Sequence, residues 1–222
     1  FIVYNPPFIN EELGIREGLL LSVSKILALL YRSQIQTLVF CRTRRFVELL
    51  LREVKNVLQI PDNRIRGYRS GYLKTERREI ESGLKTGEVQ IGIATNALEL
   101  GVDIGGVDCV LLPGYPGTVA SLRQRVGRAG RMFNPSLAVF IASMSPLDQY
   151  LARNPEYLMS RDPEEAFLNP DNPLILLEHL QCAAAELPFD ESDHFGILDP
   201  NLLKAYLDYL VTLGILHHKG RR

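Results

Sequence analysis

The chain has 222 residues, of which 46% are hydrophobic and 23% charged, and its formal net charge is −1. Because domains usually span about 100–150 residues, this length predicts one sizeable core and a smaller companion. The composition excludes a membrane-spanning chain, since no apolar run approaches the ~20 residues that a bilayer requires, and no signal peptide is recognisable.

Predicted helices and strands alternate through the first part of the chain. In order they are a helix over 15–31, a strand over 37–41, a helix over 45–58, a strand over 65–68, a helix over 76–84, strands over 89–94 and 107–112, a helix that carries Gln124, and a strand over 137–142. We expect Thr75 and Thr118 to be N-caps and Gly83 and Gly87 to end the third helix. The alternation predicts an α/β fold, a parallel sheet covered by helices on both faces through right-handed crossovers.

After Ser143 the pattern changes to helices separated by prolines. Helical spacing recurs over 174–185 and 200–213, and a turn with a short strand is expected over 214–220. Helices followed by a basic hairpin are typical of a winged-helix module. The predicted domains are therefore 1–144 and a helical, winged-helix-like domain over 145–222, whose wing is expected to be incomplete.

The cysteines are isolated from one another, at Cys41, Cys109 and Cys182. This spacing predicts neither a disulfide framework nor a zinc cluster, and it favours the reducing cytoplasm as the location. Two pairs, His179 with Cys182 and His217 with His218, would each supply only two metal ligands, so we expect no metal site.

The most informative segment is 124–131, which reads Gln-Arg-Val-Gly-Arg-Ala-Gly-Arg. On a continuous helix Gln124, Arg128 and Arg131 fall at i, i+4 and i+7 and share one face. The two glycines of the segment let the backbone approach a ligand closely. Because arginine presents a planar fork of donors that stays charged, we expect this face to meet a phosphate. The alternative is a solvated basic surface.

A second segment, 94–104, follows an apolar run that is typical of a buried strand. Thr95 and Asn96 therefore lie at the carboxyl end of a strand, where open parallel sheets bind ligands, and can bond phosphate or base. Arginines are clustered although the net charge is small, and phosphate contact depends on where charge lies. The clusters are Arg42, Arg44 and Arg45; Arg64, Arg66 and Arg69; and Arg123, Arg125, Arg128 and Arg131.

The two segments match the sixth and fifth motifs of the superfamily-two helicases. Further stretches resemble the MrfA-type DNA repair helicases, so the resemblance covers nearly the whole chain. They are Asn5-Pro-Pro-Phe, Leu38-Val-Phe-Cys-Arg-Thr-Arg44, Gly67-Tyr-Arg-Ser-Gly-Tyr72, Arg77-Arg-Glu-Ile-Glu81, Gly114-Tyr-Pro-Gly117, Asp148-Gln-Tyr-Leu, Asn169-Pro-Asp-Asn-Pro173 and Cys182-Ala-Ala-Ala-Glu-Leu-Pro188. The resemblance implies a RecA-like first domain and an ATP-dependent DNA helicase of three-prime to five-prime polarity.

The resemblance also implies roles for single residues. Arg131 is expected to be the arginine finger and Arg128 its partner, both reaching across a cleft to ATP held by another domain. Gln124 is expected to link them to the acidic motif of that domain. Asp103, with Gly101 in the same motif, is expected to meet the nucleotide ribose or orient the arginines; a turn-capping aspartate is the alternative.

On the nucleic-acid side the expected contacts are with phosphate oxygens. Each candidate follows a predicted strand, where side chains can bond phosphate without reading sequence. These candidates are Arg44, Ser70, Thr95 and Asn96. Arg125, the neighbour of Gln124, is expected to tolerate replacement by alanine.

No Gly-x-x-x-x-Gly-Lys-Ser/Thr run occurs in the chain, so it lacks the phosphate cradle of a P-loop. We therefore expect ATP and Mg²⁺ to be held mainly by an N-terminal RecA-like domain of the same polypeptide, which would precede Phe1. Alone, the chain is expected to be inactive. The expected partners are that domain and single-stranded or forked DNA, with no membrane.

Two alternatives stay open. A DEAD-box-like RNA helicase would carry His at the position of Gln124 and Ala-Arg-Gly in the stretch that here reads Leu98-Glu-Leu-Gly101. A non-enzymatic nucleic-acid-binding module built on the winged helix would need no arginine finger.

Overall fold

The computed structural model describes residues 1–59, 63–69, 71–99, 102, 104–130, 135–166, 168–169, 172–190 and 192–218. Its strands are β1 (Ile2–Tyr4), β2 (Phe8–Asn10), β3 (Ile15–Arg16), β4 (Thr37–Phe40), β5 (Ile65–Tyr68), β6 (Ile91–Ala94), β7 (Cys109–Pro113) and β8 (Leu137–Ile141). Its helices are α1 (Leu19–Arg32), α2 (Arg44–Leu58), α3 (Lys74–Thr86), α4 (Val119–Val126), α5 (Pro146–Arg153), α6 (Glu156–Ser160), α7 (Pro173–Glu186) and α8 (Pro200–Thr212). A 3₁₀ turn spans Asn96–Leu98.

Six strands form one parallel sheet in the spatial order β1-β8-β7-β4-β6-β5. Strand β4 lies inside the sheet, where Thr37 pairs with Ile91 of β6 on one side and with Cys109 of β7 on the other. The strands β2 and β3 form a separate antiparallel pair. This parallel sheet confirms the predicted α/β, RecA-like architecture.

Helices cover both faces of the sheet, which is why its strands read as continuous apolar runs. Successive residues of a strand point to opposite faces, so Leu38 and Phe40 enter one core and Val39 the other. Helices α1 and α2 close the second of these cores through buried residues such as Leu27 and Leu50. Helices α3, α4, α5 and α6 close the first.

Two helix starts can be compared with the sequence. Helix α1 begins at Leu19 rather than at residue 15, because Ile15–Arg16 pairs with β2 as strand β3. The predicted cap of α4 is confirmed, since the Thr118 side chain accepts a hydrogen bond from the Ser121 N–H at 3.1 Å.

Helix α3 extends beyond both of its predicted ends. Its N-cap residue is Leu73 rather than Thr75. Gly83 lies inside the helix, where a β-carbon would stand 2.6 Å from the Val89 side chain, so close packing explains this glycine. Gly87 ends the helix in the left-handed conformation, with φ of +82°.

The chain divides by its contacts into two compact units, Phe1–Glu164 and Glu165–Arg222. This division falls later than the domain boundary expected after residue 144. The physical reason is that α5 and α6 bury Leu151 and Leu158 in a core of the first unit.

The second unit contains α7 and α8, which confirms both helices expected there. Its core consists of buried leucines, with the rings of Phe189 and Phe195 in edge contact at 6.1 Å. The leucines are Leu176, Leu180, Leu203 and Leu210. The strand expected over 214–220 is not found in the described part of that range, 214–218. None of the helices within the described ranges has the length and apolar character to cross a membrane.

Candidate functional site

The carboxyl ends of three neighbouring strands, β4, β6 and β5, form the edge that positions the predicted nucleic-acid residues. Phe40 and Tyr68, which end β4 and β5, both pair with Ala94, which ends β6. Because the three strands end in register, the segments that follow them leave the sheet side by side.

The first residues after these strand ends include Arg44, Thr95 and Asn96. Arg44 is exposed in the first turn of α2, and Asn96 is exposed at the start of the 3₁₀ turn. Thr95 is nearly buried, and its N–H donates to the Tyr68 carbonyl at 3.4 Å. Ser70, predicted with them, lies outside the described residues. Contact of these side chains with DNA stays a prediction.

The prediction that one continuous helix places Gln124 and Arg128 on a shared face is wrong. Helix α4 ends at Val126, so Gln124 lies exposed in its last turn while Arg128 lies in the turn beyond. The Arg128 N–H donates to the Arg125 carbonyl three residues earlier, which is the bond of a tight turn and not of a continuing α-helix. Arg131 lies outside the described residues.

Pairing with Val107, which lies just before β7, explains why α4 stops. Ala129 forms a parallel bridge with Val107, and the Gly130 N–H donates to the Val107 carbonyl at 2.9 Å. Gly130 has φ of +123°, a conformation that favours glycine. The chain therefore leaves the helix and pairs with the backbone at Val107, so the close approach observed at this glycine is to the protein's own backbone.

Arg128 holds the segment that follows the 3₁₀ turn. Its Nη1 donates to the Val102 carbonyl at 2.9 Å and its Nη2 to the Glu99 carbonyl at 2.8 Å. The side chain is half-buried. A guanidinium has five N–H donors, so these two bonds alone do not use its full capacity.

Arg125 is buried, which contradicts the basis for expecting it to tolerate alanine. Its side chain lies within the first unit with residue exposure of 6%. Its Nε donates to Glu99 Oε2 at 3.0 Å, and the guanidinium stands 5.5 Å from the centroid of the Phe40 ring. A signal for this pair exists in the sequence, because Glu99 lies between two leucines, and a carboxylate in an apolar stretch is seldom buried unless paired.

Glu99 is therefore the point where the two predicted motifs join. Its carboxylate binds Arg125 and its carbonyl accepts from Arg128. The segment that begins with Thr95 and Asn96 is thus bonded directly to the helix and turn that carry the arginines. A shift of one segment must move the other or break these bonds.

Asp148 connects two further strand ends, and sequence reasoning assigned it no role. This aspartate is 1% exposed, and its carboxylate accepts from the Tyr115 N–H at 3.2 Å and the Ser143 N–H at 2.8 Å. Tyr115 follows β7 and Ser143 follows β8, so the carboxylate fixes two neighbouring loops at the same edge of the sheet. A negative charge that accepts backbone N–H groups in this way is satisfied without a metal.

Within the part of the chain that the structure describes, the thiols and acidic groups show no arrangement for holding a metal. Burial raises the pKa of Cys41 and of Cys109 to about 12, so both stay protonated thiols at neutral pH. Cys182 is exposed. Across the described ranges, no group of three or more His, Cys, Asp or Glu side chains is placed to bind an ion.

A cavity of about 530 Å³ lies elsewhere, beside the amino ends of β5 and β6. Arg66 and Arg78 line it together with Glu79 and Glu88, so the charges of the lining balance. We place no function there, because the cavity is remote from the strand ends that carry the predicted residues.

Comparison with known proteins gives two family matches. The profile described as the helicase conserved C-terminal domain matches residues 21–133. The profile described as the winged helix domain of the ATP-dependent helicase HRQ1 matches residues 168–218. The second match confirms the winged-helix prediction.

Individual relatives extend over the whole chain. The ATP-dependent helicase YprA of Bacillus subtilis (strain 168) is 44% identical over 224 residues, which cover 100% of this chain and 30% of the relative. The ATP-dependent helicase HRQ1 of Saccharomyces cerevisiae is 40% identical over 94% of this chain and 20% of the relative. The crystal structure of the DUF1998 helicase MrfA bound to DNA and AMPPNP matches with a TM-score of 0.89 and 44% identity, over 100% of this chain and 31% of that chain.

These matches confirm the resemblance drawn from the motifs. The chain spans less than a third of the length of each of these relatives.

Proposed function

The chain belongs to the family of the helicase conserved C-terminal domain, and from this premise we propose that it is the second motor domain of an ATP-dependent DNA helicase, followed by a winged-helix domain. The observation that carries the proposal is the set of bonds at Glu99. Through Arg125 and Arg128 it joins the strand-end segment suited to DNA phosphates to the arginines suited to ATP. A motor domain needs such a connection, because nucleotide and DNA occupy separate sites.

The arginines would act on ATP held by a P-loop domain of the same polypeptide. Arg128 lies half-buried in the turn after α4, and Gln124 is exposed on the helix that leads to it. Arg131, one residue beyond Gly130, is proposed as the arginine finger that neutralises charge on the transferring phosphoryl group. Bound ATP would supply that group, and we assign Mg²⁺ to the P-loop domain, since the described residues hold no acidic cluster for it.

Gly101 and Asp103 lie outside the described residues. The Val102 carbonyl between them accepts from Arg128, which supports the proposal that this stretch meets the nucleotide ribose or orients the arginines. The reduced thiols of Cys41 and Cys109 support the cytoplasmic location expected from the sequence.

DNA would bind at the ends of β4, β6 and β5. Arg44, Ser70, Thr95 and Asn96 are the proposed contacts, and all of them would bond phosphate oxygens without reading bases. The cleft would close when ATP binds and open after hydrolysis, and this cycle would move a single DNA strand. The resemblance to the MrfA-type helicases supports three-prime to five-prime movement and a role in DNA repair. The similarity to MrfA bound to DNA and AMPPNP supports DNA over RNA as the substrate.

ATP turnover by the chain with and without a P-loop domain tests the proposal. The chain alone is expected to release no phosphate above background in the presence of Mg²⁺ and single-stranded DNA, because the phosphate cradle is missing. Joined to a P-loop motor domain in one polypeptide, it is expected to support turnover that DNA stimulates. Robust Mg²⁺-dependent turnover by the repurified chain alone would contradict the assignment.

The DNA path is tested by replacing Arg44 with alanine in the protein that carries both motor domains. Binding of single-stranded DNA is expected to weaken equally for all sequences. The slope of log K against log salt concentration is expected to become shallower by about one, because one phosphate contact is lost. Arg52→Ala is the matched control, because Arg52 is exposed on the same helix two turns further from the sheet edge. A loss confined to certain sequences, or an equal loss in the control, would move the DNA path elsewhere.

A further inference from the structure

The segment 161–164, which directly precedes the second unit, is bonded along helix α4. The Glu164 carboxylate accepts from two backbone N–H groups in the first turn of α4, that of Val119 at 2.7 Å and that of Ala120 at 3.0 Å. Further along the helix, Arg123 Nη2 donates to the Arg161 carbonyl at 2.5 Å. The segment therefore has two attachments to the same helix.

These bonds satisfy two N–H groups of the helix start that its own cap leaves without a partner. Helix α4 already has an N-cap, Thr118, whose side chain accepts from the Ser121 N–H. A separate carboxylate, 45 residues away from Val119 in the sequence, takes the two preceding N–H groups, one with each of its oxygens. A negative charge is favoured at a helix N-terminus, and the backbone N–H groups of Val119 and Ala120 hold the pKa of Glu164 below its usual range.

The position of α4 determines where the arginine motif lies, a name we use for the arginines of segment 124–131. The helix carries Gln124 and Arg125 and leads straight into the turn of Arg128. At its C-terminal end the helix is held by the bond between Arg125 and Glu99. At its N-terminal end the corresponding anchor is Glu164, and the second unit begins at the next residue.

We propose that Glu164 is a positioning residue for ATP hydrolysis, which holds α4 and thereby the arginine motif in place from the segment that enters the second unit. The proposal rests on the proposed function, because it takes the arginines to act on ATP. Glu164 touches no reacting atom in this scheme. It acts by fixing the positions of the arginines, and a displacement of catalytic groups by about 1 Å is enough to lower the reaction rate steeply.

The test uses the protein that carries both motor domains, with Glu164→Ala, Glu164→Gln and Asp199→Ala compared with the parent. Asp199 is the matched control, since its carboxylate caps α8 by accepting from the Asn201 and Leu202 N–H groups in the second unit. The measurements are kcat and KM for ATP with saturating single-stranded DNA, Kd for that DNA, and the melting temperature.

Glu164→Ala is expected to lower kcat roughly tenfold, with KM and Kd within about twofold. Glu164→Gln is expected to lie between it and the parent, because an amide keeps one acceptor oxygen and loses the charge. Asp199→Ala is expected to lower the melting temperature while kcat stays within about twofold of the parent.

The proposal would be overturned by a kcat for Glu164→Ala within twofold of the parent, or by an equal fall in the kcat of Asp199→Ala. Glu164 would then only cap helix α4. If Glu164→Ala does not fold, the kcat of Glu164→Gln decides in its place. Arg131→Lys in the same assay separates the two ideas. A near-normal kcat for Arg131→Lys rejects the arginine-finger assignment of the proposed function. A kcat about 10³-fold lower for Arg131→Lys, beside an unchanged kcat for Glu164→Ala, rejects only the role of Glu164.

Discussion

Replacing Arg131 by lysine is expected to lower kcat for ATP hydrolysis by about 10³-fold or more in the protein that carries both motor domains. The arginine finger stabilises charge that develops only in the transition state, and a lysine ammonium cannot reproduce the planar fork. Binding of single-stranded DNA is expected to stay within a few-fold, because Arg131 is assigned to the ATP cleft. Steady-state phosphate release and a DNA-binding titration measure the two effects.

The control for this substitution is Arg153→Lys, an equally conservative change in the exposed last turn of α5. It is expected to leave both measurements unchanged. Arg125 cannot be the control, because it is a buried partner of Glu99. A normal kcat in Arg131→Lys, or a large loss of DNA affinity, would refute the finger assignment.

Replacing Arg125 by alanine is expected to lower the free energy of unfolding by about 3–5 kcal/mol. The side chains of Arg125 and Glu99 are only 7% and 11% exposed, so removal of the arginine leaves a carboxylate in the interior without its cation. The contact of the guanidinium with the Phe40 ring is lost as well. Denaturant-induced unfolding of the chain measures the change.

A paired replacement distinguishes an unpaired charge from simple loss of packing. Arg125→Met with Glu99→Leu removes both charges and keeps similar volumes, so it is expected to recover most of the stability lost in Arg125→Ala. If the double variant is as unstable as Arg125→Ala, the loss of stability comes from packing around Phe40 and not from the unpaired charge of Glu99. A single variant as stable as the parent would mean that Glu99 reaches water.

Much of the sheet could be predicted because its strands are buried on both faces. Each inner strand is a short apolar run, and the helices between them show helical spacing, so the parallel α/β arrangement follows from local patterns. The cap at Thr118 was equally local, since its hydroxyl bonds an N–H three residues on. Strand β1 was missed because three residues, Ile2–Tyr4, become a strand only by pairing with β8.

The candidate site was predicted in part. Residues that follow strands could be placed at one edge, because parallel strands end together. The end of α4 could not, since helical spacing continues through Gly127 and only the distant contact of Ala129 with Val107 breaks it. The burial of Arg125 was missed for a related reason. The sequence shows that the residue is charged but not how deeply its side chain is buried, and its partner Glu99 belongs to another element.

Strand β1 has a consequence for the timing of synthesis. Ile2 pairs with Val139, which the ribosome adds 137 residues later (139 − 2). At about 5–20 residues per second, the first strand waits roughly 7–27 seconds before its partner exists. During that interval the apolar residues of β1 have no neighbouring strand, and β7 is an edge strand of the incomplete sheet. The strand that is made first in this sheet is therefore among the last to join it.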